Sequence, residues 1–146
     1  MVWKMNHPFS LHPQLAQDTV PVGDLALCRV LLANDANYPW TILVPRLPAL
    51  TEIIDLAENE QGQLLGEIDT VARALKTITG CDKLNIAAIG NVVSQLHIHV
   101  VARRRSDAAW PKPVWGAAPA TAYDPAAREH LIDALRAALP FESALP

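Results

Sequence analysis

Cysteine is almost missing from this 146-residue chain. The two present, Cys28 and Cys81, stand far apart, in neither CxxC nor metal-ligand spacing. That excludes a disulfide framework and a thiolate metal centre, and both are expected to be reduced structural thiols. Charge is thin as well: 18% of residues are charged and the formal net charge is -3. This argues against a general nucleic-acid-binding surface. Apolar runs are short, none near the length of a membrane-spanning helix. Met1 to Ser10 carries Lys4, His7 and Pro8 but no apolar h-region, so it does not read as a signal peptide. Apolar residues are plentiful, at 51%, in a length that makes one domain with a sizeable core. A globular cytoplasmic domain is expected, binding neither membrane nor nucleic-acid polymer.

Histidine is scarce too, five in all, yet two fall together in Gln95-Leu96-His97-Ile98-His99-Val100-Val101-Ala102-Arg103. Polar and apolar residues alternate there. At period two, Gln95, His97 and His99 share one face of a strand, while Leu96, Ile98 and Val100 take the opposite, core-facing side. A lone strand histidine is usually a packed or surface residue; two in HxH spacing beside an amide make a site. Two chemistries suit the pair. One is a metal centre with two imidazole ligands, for which His130, His7, His12 or a remote carboxylate would have to supply the third, none at diagnostic spacing. The other is a nucleophilic imidazole whose polar neighbours handle the charge of a phosphate. Arg103-Arg104-Arg105 follows directly: either a solvated strand end or a means of attracting an anion.

The remaining elements follow from pattern and punctuation. His7-Pro8 to Pro21 is proline-rich and is expected to be an irregular arm. Leu25–Ala33 and Trp40–Val44 read as strands of an antiparallel hairpin around the polar loop Asn34–Pro39. Leu47 to Gly80 reads as helical, with Thr51–Leu56 a short separate helix. Its apolar stripe is Leu64, Leu65, Ile68, Val71, Ala72, Leu75 and Ile78, and Gly80 suits the C′ position. Leu84–Ala88 is a third strand and Gly90-Asn91 a turn before the histidine strand. Trp110-Pro111-Lys112-Pro113-Val114-Trp115-Gly116 is an extended loop by virtue of its prolines; its tryptophans either pack on the domain or wall a pocket for an aromatic base. Asp124 and Pro125 open a last helix buried through Leu131, Ile132, Leu135 and Leu139. The whole chain, 1–146, is expected to be one α+β domain: an antiparallel sheet with a long helix packed on it. Residues 1–21 form its arm and 106–146 a C-terminal extension.

QLHIHVVAR resembles the signature of the histidine-triad (HIT) nucleotide hydrolases and transferases, in which three histidines alternate with hydrophobic residues. The layout from Leu25 to Arg103 is similar as well. The resemblance implies that His97 is the nucleophile and that His99 contacts the phosphate. Gln95 stands where the first histidine should be. Asn34 falls where the family places a ribose-binding polar residue, with Asp35 competing for that role. Asn85 corresponds to a polar side chain near the phosphates. Gly90 and Asn91 match the turn on the leaving-group side, where Val92 replaces a frequent hydroxyl residue. Dinucleoside polyphosphates or related conjugates are the implied substrates, cleaved at the α-phosphate through a nucleotidyl-histidine, without metal or other cofactor. A homodimer is implied too, with Trp110 or Trp115 as a pocket wall. Because an amide at position 95 cannot shuttle a proton, anhydrides are expected to be preferred over phosphoramidates. A nucleotide-binding module with little turnover is the alternative.

Overall fold

The computed structural model describes residues 8–144. A six-stranded sheet runs in the order β4-β5-β3-β2-β1-β6, antiparallel throughout. Its strands are β1 (Thr19–Asp24), β2 (Cys28–Ala33), β3 (Trp40–Pro45), β4 (Lys83–Ala87), β5 (Ile98–Arg103) and β6 (Ser143–Ala144). The helices are α1 (Pro13–Asp18), α2 (Glu58–Thr79) and α3 (Pro125–Ala138), with a 3-10 turn at Ile53–Asp55. Among the described residues no helix is long and apolar enough to cross a membrane.

The expected α+β architecture is present, with four corrections. Residues 13–21 are not irregular, since they form α1 and the first half of β1; expectations for residues 1–7, His7 among them, lie outside the described residues. Prolines disguised the strand. Pro21 has no N–H for a ladder and sits at the register shift between Pro21 and Gly23, the kind of position that tolerates it. The separate short helix expected at Thr51–Leu56 is present as the 3-10 turn Ile53–Asp55, but residues 47–52 are not helical and the long helix starts at Glu58. The Glu60 carboxylate caps its start by accepting the Ala57 N–H at 2.7 Å, and Gly80 ends it at φ 61. Leu65, expected in the buried stripe, is 68% exposed. Finally, the histidine strand begins at Ile98. Leu96 N–H donates to Leu50 O at 2.9 Å, so the backbone before Ile98 pairs with a loop beyond Pro45 instead of a strand.

The alternation survives that shift. Leu96, Ile98, Val100 and Ala102 join Leu64, Val71, Leu75, Ile132 and Leu135 in the main core, between the sheet and the pair α2 and α3. Each large apolar side chain buried there contributes about 1.5–3 kcal/mol. On the opposite face, Leu15 with Phe9 and Leu11 covers Leu31, Ala33, Ile42 and Val44. Farther along that face, Tyr38, Val101, Ala109 and Val114 pack with Trp40 and Trp115. Between these two covers the sheet is left open.

Arg103 anchors the second cover. It is 1% exposed, donates to Asp107 through Nε at 2.7 Å and Nη2 at 3.0 Å, and gives Nη1 to Asn85 Oδ1 at 2.8 Å. The rings of Tyr38 and Trp110 lie on it. Asp107 also accepts the N–H groups of Arg104, Ala109 and Trp110. The Arg103 guanidinium hydrogen bond holds the Asp107 carboxyl below its ordinary pKa. The arginine run is therefore neither a solvated strand end nor an anion attractor at its first position. Arg104 is tied to Thr79 O. We expect Asp107→Ala, which strands a buried guanidinium, to lower unfolding stability by about 3–5 kcal/mol in urea titration; a loss below about 1 kcal/mol would show that the pair anchors nothing.

Candidate active site

The open stretch of the sheet is a cavity of about 800 Å³. Its floor is Ala33, Trp40, Ile42 and His99, and its walls come from four directions. Helix α1 and the start of β1 supply Gln14, Leu15, Gln17, Asp18 and Thr19; the β2–β3 loop supplies Asn34 and Asp35. The turn after β4 gives Ile89 to Val93, and the Trp loop gives Val114, Trp115 and Gly116. A smaller cleft of about 290 Å³, with Thr51, Glu52, Ile53 and Ile54 on it, reaches His97 from another side.

His97 and His99 both face the cavity, 7% and 6% exposed, with ring centroids 4.9 Å apart. Their hydrogen bonds fix their protons. Nδ1 of His97 lies 2.7 Å from Gln95 O. A carbonyl can only accept, so Nδ1 carries the proton and Nε2 of the neutral ring keeps its lone pair. His99 is the reverse: Nδ1 accepts from Trp40 Nε1–H at 2.9 Å, and an indole can only donate. In neutral His99 the proton is therefore on Nε2. One ring offers a nucleophilic nitrogen and its neighbour a hydrogen-bond donor. Burial first, and then His97 beside it, push the His99 pKa down to about 4, so His99 is uncharged at neutral pH.

Eight of the expected site residues besides the two histidines can be placed against this cavity or away from it. Asn34, Asp35, Gly90, Asn91 and Trp115 line it. Asp35 Oδ1 accepts from Asn37 N and Thr121 N at 3.0 and 3.2 Å, which fixes the carboxylate and ties its loop to residues 119–121. Gly90 has φ 70, a left-handed turn conformation that favours glycine. Trp115 stands edge-on to His99 at 5.0 Å and to Trp40 at 5.8 Å. Trp110 does not line the cavity, because its ring is stacked on Arg103. Asn85 does not either: its Oδ1 accepts from Arg103. Gln95 is also turned elsewhere. Its Oε1 accepts His12 N–H at 2.8 Å and its Nε2 donates to Ser10 O at 2.9 Å. The residue expected to face the phosphate instead clasps the segment leading into α1.

Trp40 and the α1 residues were not expected at the site. Trp40 could have been found from register alone: β3 and β5 pair Trp40 with Val101 and Ile42 with His99, which brings the indole diagonally beside the imidazole. The alternative metal centre lacks a third ligand, since no three His, Cys, Asp or Glu side chains are grouped to hold an ion among the described residues. His12 Nδ1 instead caps α1 by accepting Gln14 N–H, and His130 lies on α3, exposed.

Comparison with known proteins shows the family. The HIT domain model matches residues 14–106. The structure of a histidine triad protein from Bradyrhizobium japonicum superposes with TM-score 0.89 at 56% identity, over 90% of this chain and 98% of that one. One from Marinobacter aquaeolei VT8 gives 0.88 at 41%, over 91% and 97%. The adenylylsulfatase HINT3 of Arabidopsis thaliana is 27% identical over 94 residues, 60% of this chain; the match spans less than half, 46%, of that relative. By its sequence and its fold, the chain belongs to the HIT domain family.

Proposed function

We propose that the protein hydrolyses nucleotide conjugates at the α-phosphate through a covalent nucleotidyl-histidine on His97. The observation that carries this reading is the pair of opposed tautomers: Gln95 O holds the His97 proton at Nδ1, and Trp40 holds the His99 lone pair at Nδ1. Nε2 of His97 attacks phosphorus, while Nε2–H of His99 and backbone N–H groups around Gly90 to Val93 meet the charge on the phosphate oxygens. Asp35 accepts from ribose hydroxyls through Oδ2, with Asn34 beside it. Trp115 and the apolar floor take the base. One hard displacement becomes two easier ones.

Gln95 amide hydrogens drop out of the phosphate's surroundings in this scheme, because the clasp on Ser10 and His12 engages that side chain. The preference for anhydrides then needs other support. The adenylylsulfatase relative acts, by its name, on an anhydride. The described lining holds Asp18 and Asp35 but no Lys or Arg. A compact leaving group of low charge suits that lining better than the long polyphosphate of diadenosine tetraphosphate. A homodimer belongs to the same reading, supported by exposed Ile86 on β4 at the sheet's edge and by exposed Ile89 and Val92 beyond it. So does a cytoplasmic setting, supported by the free, buried thiols Cys28 and Cys81.

Three outcomes are expected. Acid quenching during turnover of an adenylyl conjugate leaves a nucleotide on His97 by mass spectrometry. His97→Ala loses it together with at least about 10³-fold in kcat; undiminished turnover in that variant removes the proposal, and binding without turnover in the wild type leaves a nucleotide-binding module. Light scattering gives twice the chain mass; a monomer at micromolar concentration refutes the dimer. Stability depends on pH through His99. The unfolded chain takes up its proton near pH 6.5 and the folded one near 4, so stability present above 6.5 is lost as pH falls toward 4, by roughly 3 kcal/mol. Urea unfolding at pH 7 and 4.5 should show His99→Gln to be less acid-sensitive than the wild type; equal sensitivity excludes His99 as the source.

A further inference from the structure

Trp40 does more to His99 than fill space. An indole has one N–H and no acceptor, unlike the water, hydroxyl or carboxylate that often sits behind an imidazole. Such partners can turn round and accept a proton from an imidazolium; an indole cannot. If His99 gave up its Nε2 proton it would have to collect another at Nδ1, where Trp40 Nε1–H already points in at 2.9 Å. Two N–H groups would then meet head to head. Retreat of the indole is hindered by Trp115, which stands edge-on to Trp40 at 88° and also touches His99. On either side of His99 in the sheet lie Ile42 of β3 and Ala87 of β4. The titratable groups that share its cavity are His97, Asp18 and Asp35.

We propose that Trp40 is a positioning residue that bars His99 from proton transfer and leaves it a fixed hydrogen-bond donor, so that the site cleaves only nucleotide conjugates whose leaving group departs as an anion. This rests on the hydrolase reading. The chemical class is the mixed anhydride: a nucleoside 5′-phosphate joined to a carboxylate, a sulfate or a phosphate. In the first step Nε2 of His97 bonds to phosphorus, the bond to the leaving group breaks, and the leaving group takes the electron pair unprotonated. His97 keeps its Nδ1 proton on Gln95 O. In the second step water oxygen bonds to phosphorus, the P–Nε2 bond breaks, and its pair returns to nitrogen. The water proton goes to bulk solvent. No proton passes through His99, and an amine, which must be protonated to leave, finds no donor. The other two positions at which the family's pattern would supply a proton carry Gln95, engaged with Ser10 and His12, and Val92, an apolar side chain 93% exposed.

The test has a spectroscopic and a kinetic arm. In ¹⁵N-labelled wild type, long-range proton–nitrogen spectra should show His99 with Nε2 protonated and Nδ1 bare, unchanged from pH 8 to 5. Trp40→Phe, which keeps a ring but removes the donor, should let His99 titrate at higher pH. A proton on Nδ1, or titration near neutrality in the wild type, overturns the proposal. Kinetically, wild type should cleave adenosine 5′-phosphate joined to acetate or sulfate at least about 100-fold faster than the primary phosphoramidate, the scale of a missing general acid. Trp40→His, whose ring can donate or accept, should narrow that ratio at least about tenfold. Equal wild-type rates, or a ratio unmoved in Trp40→His, overturn the selectivity. Should no conjugate turn over, the hydrolase reading fails, and the spectra still decide what Trp40 does to His99.

Discussion

Two buried imidazoles stand side by side, their ring centres 4.9 Å apart, and the fold holds positive charge off His99 by burying it next to His97. β5 lies between β3 and β4, so its backbone is paired on both edges and cannot slide. A slip of one residue would send both histidines into the apolar core and bring Ile98 and Val100 to the cavity. In their neutral forms the two rings divide the work by tautomer, and both proton positions are dictated by partners with no freedom to reverse: a main-chain carbonyl for His97 and an indole N–H for His99.

The surroundings of the pair come in layers. Behind the strand is the apolar core shared with α2 and α3. Beside it, Arg103 and Asp107 fix the loop that carries Val114 and Trp115, with Asn85 and Trp110 acting as braces of that node. This explains how residues assigned by resemblance to the ligand end up supporting the loop instead. Their chemistry is polar and aromatic, as the ligand would require, yet a buried guanidinium demands the same groups.

Much of this was legible in the sequence. Alternation alone separates Leu96, Ile98 and Val100 from His97 and His99, and the caps at Gly80 and Asp124 fall where helix-end chemistry puts them. Residues that depend on long-range pairing were not legible. Trp40 reads as an ordinary strand aromatic until register sets it diagonally from His99. Pro13 and Pro21 suggest irregular chain, whereas one opens α1 and the other marks a bulge in β1. Gln95 shows the same limit. Its side chain was expected to face the phosphate, but the pattern cannot reveal that the main chain of Ser10 and His12 passes close enough to take it.

That clasp has a consequence for how the molecule assembles. Gln95 meets its partners 83 and 85 positions away in sequence, so this wall of the cavity is complete only after one of the longest loops in the chain has closed. Loop-closure entropy opposes such contacts, and two hydrogen bonds repay little of it. The amino-terminal wall therefore depends more on the apolar seat of Leu15, Phe9 and Leu11 against β2 and β3 than on the clasp itself. Leu15, Ala33 and Ile42 belong both to that seat and to the cavity lining, so one apolar face of the sheet carries the floor of the site and the footing of its wall.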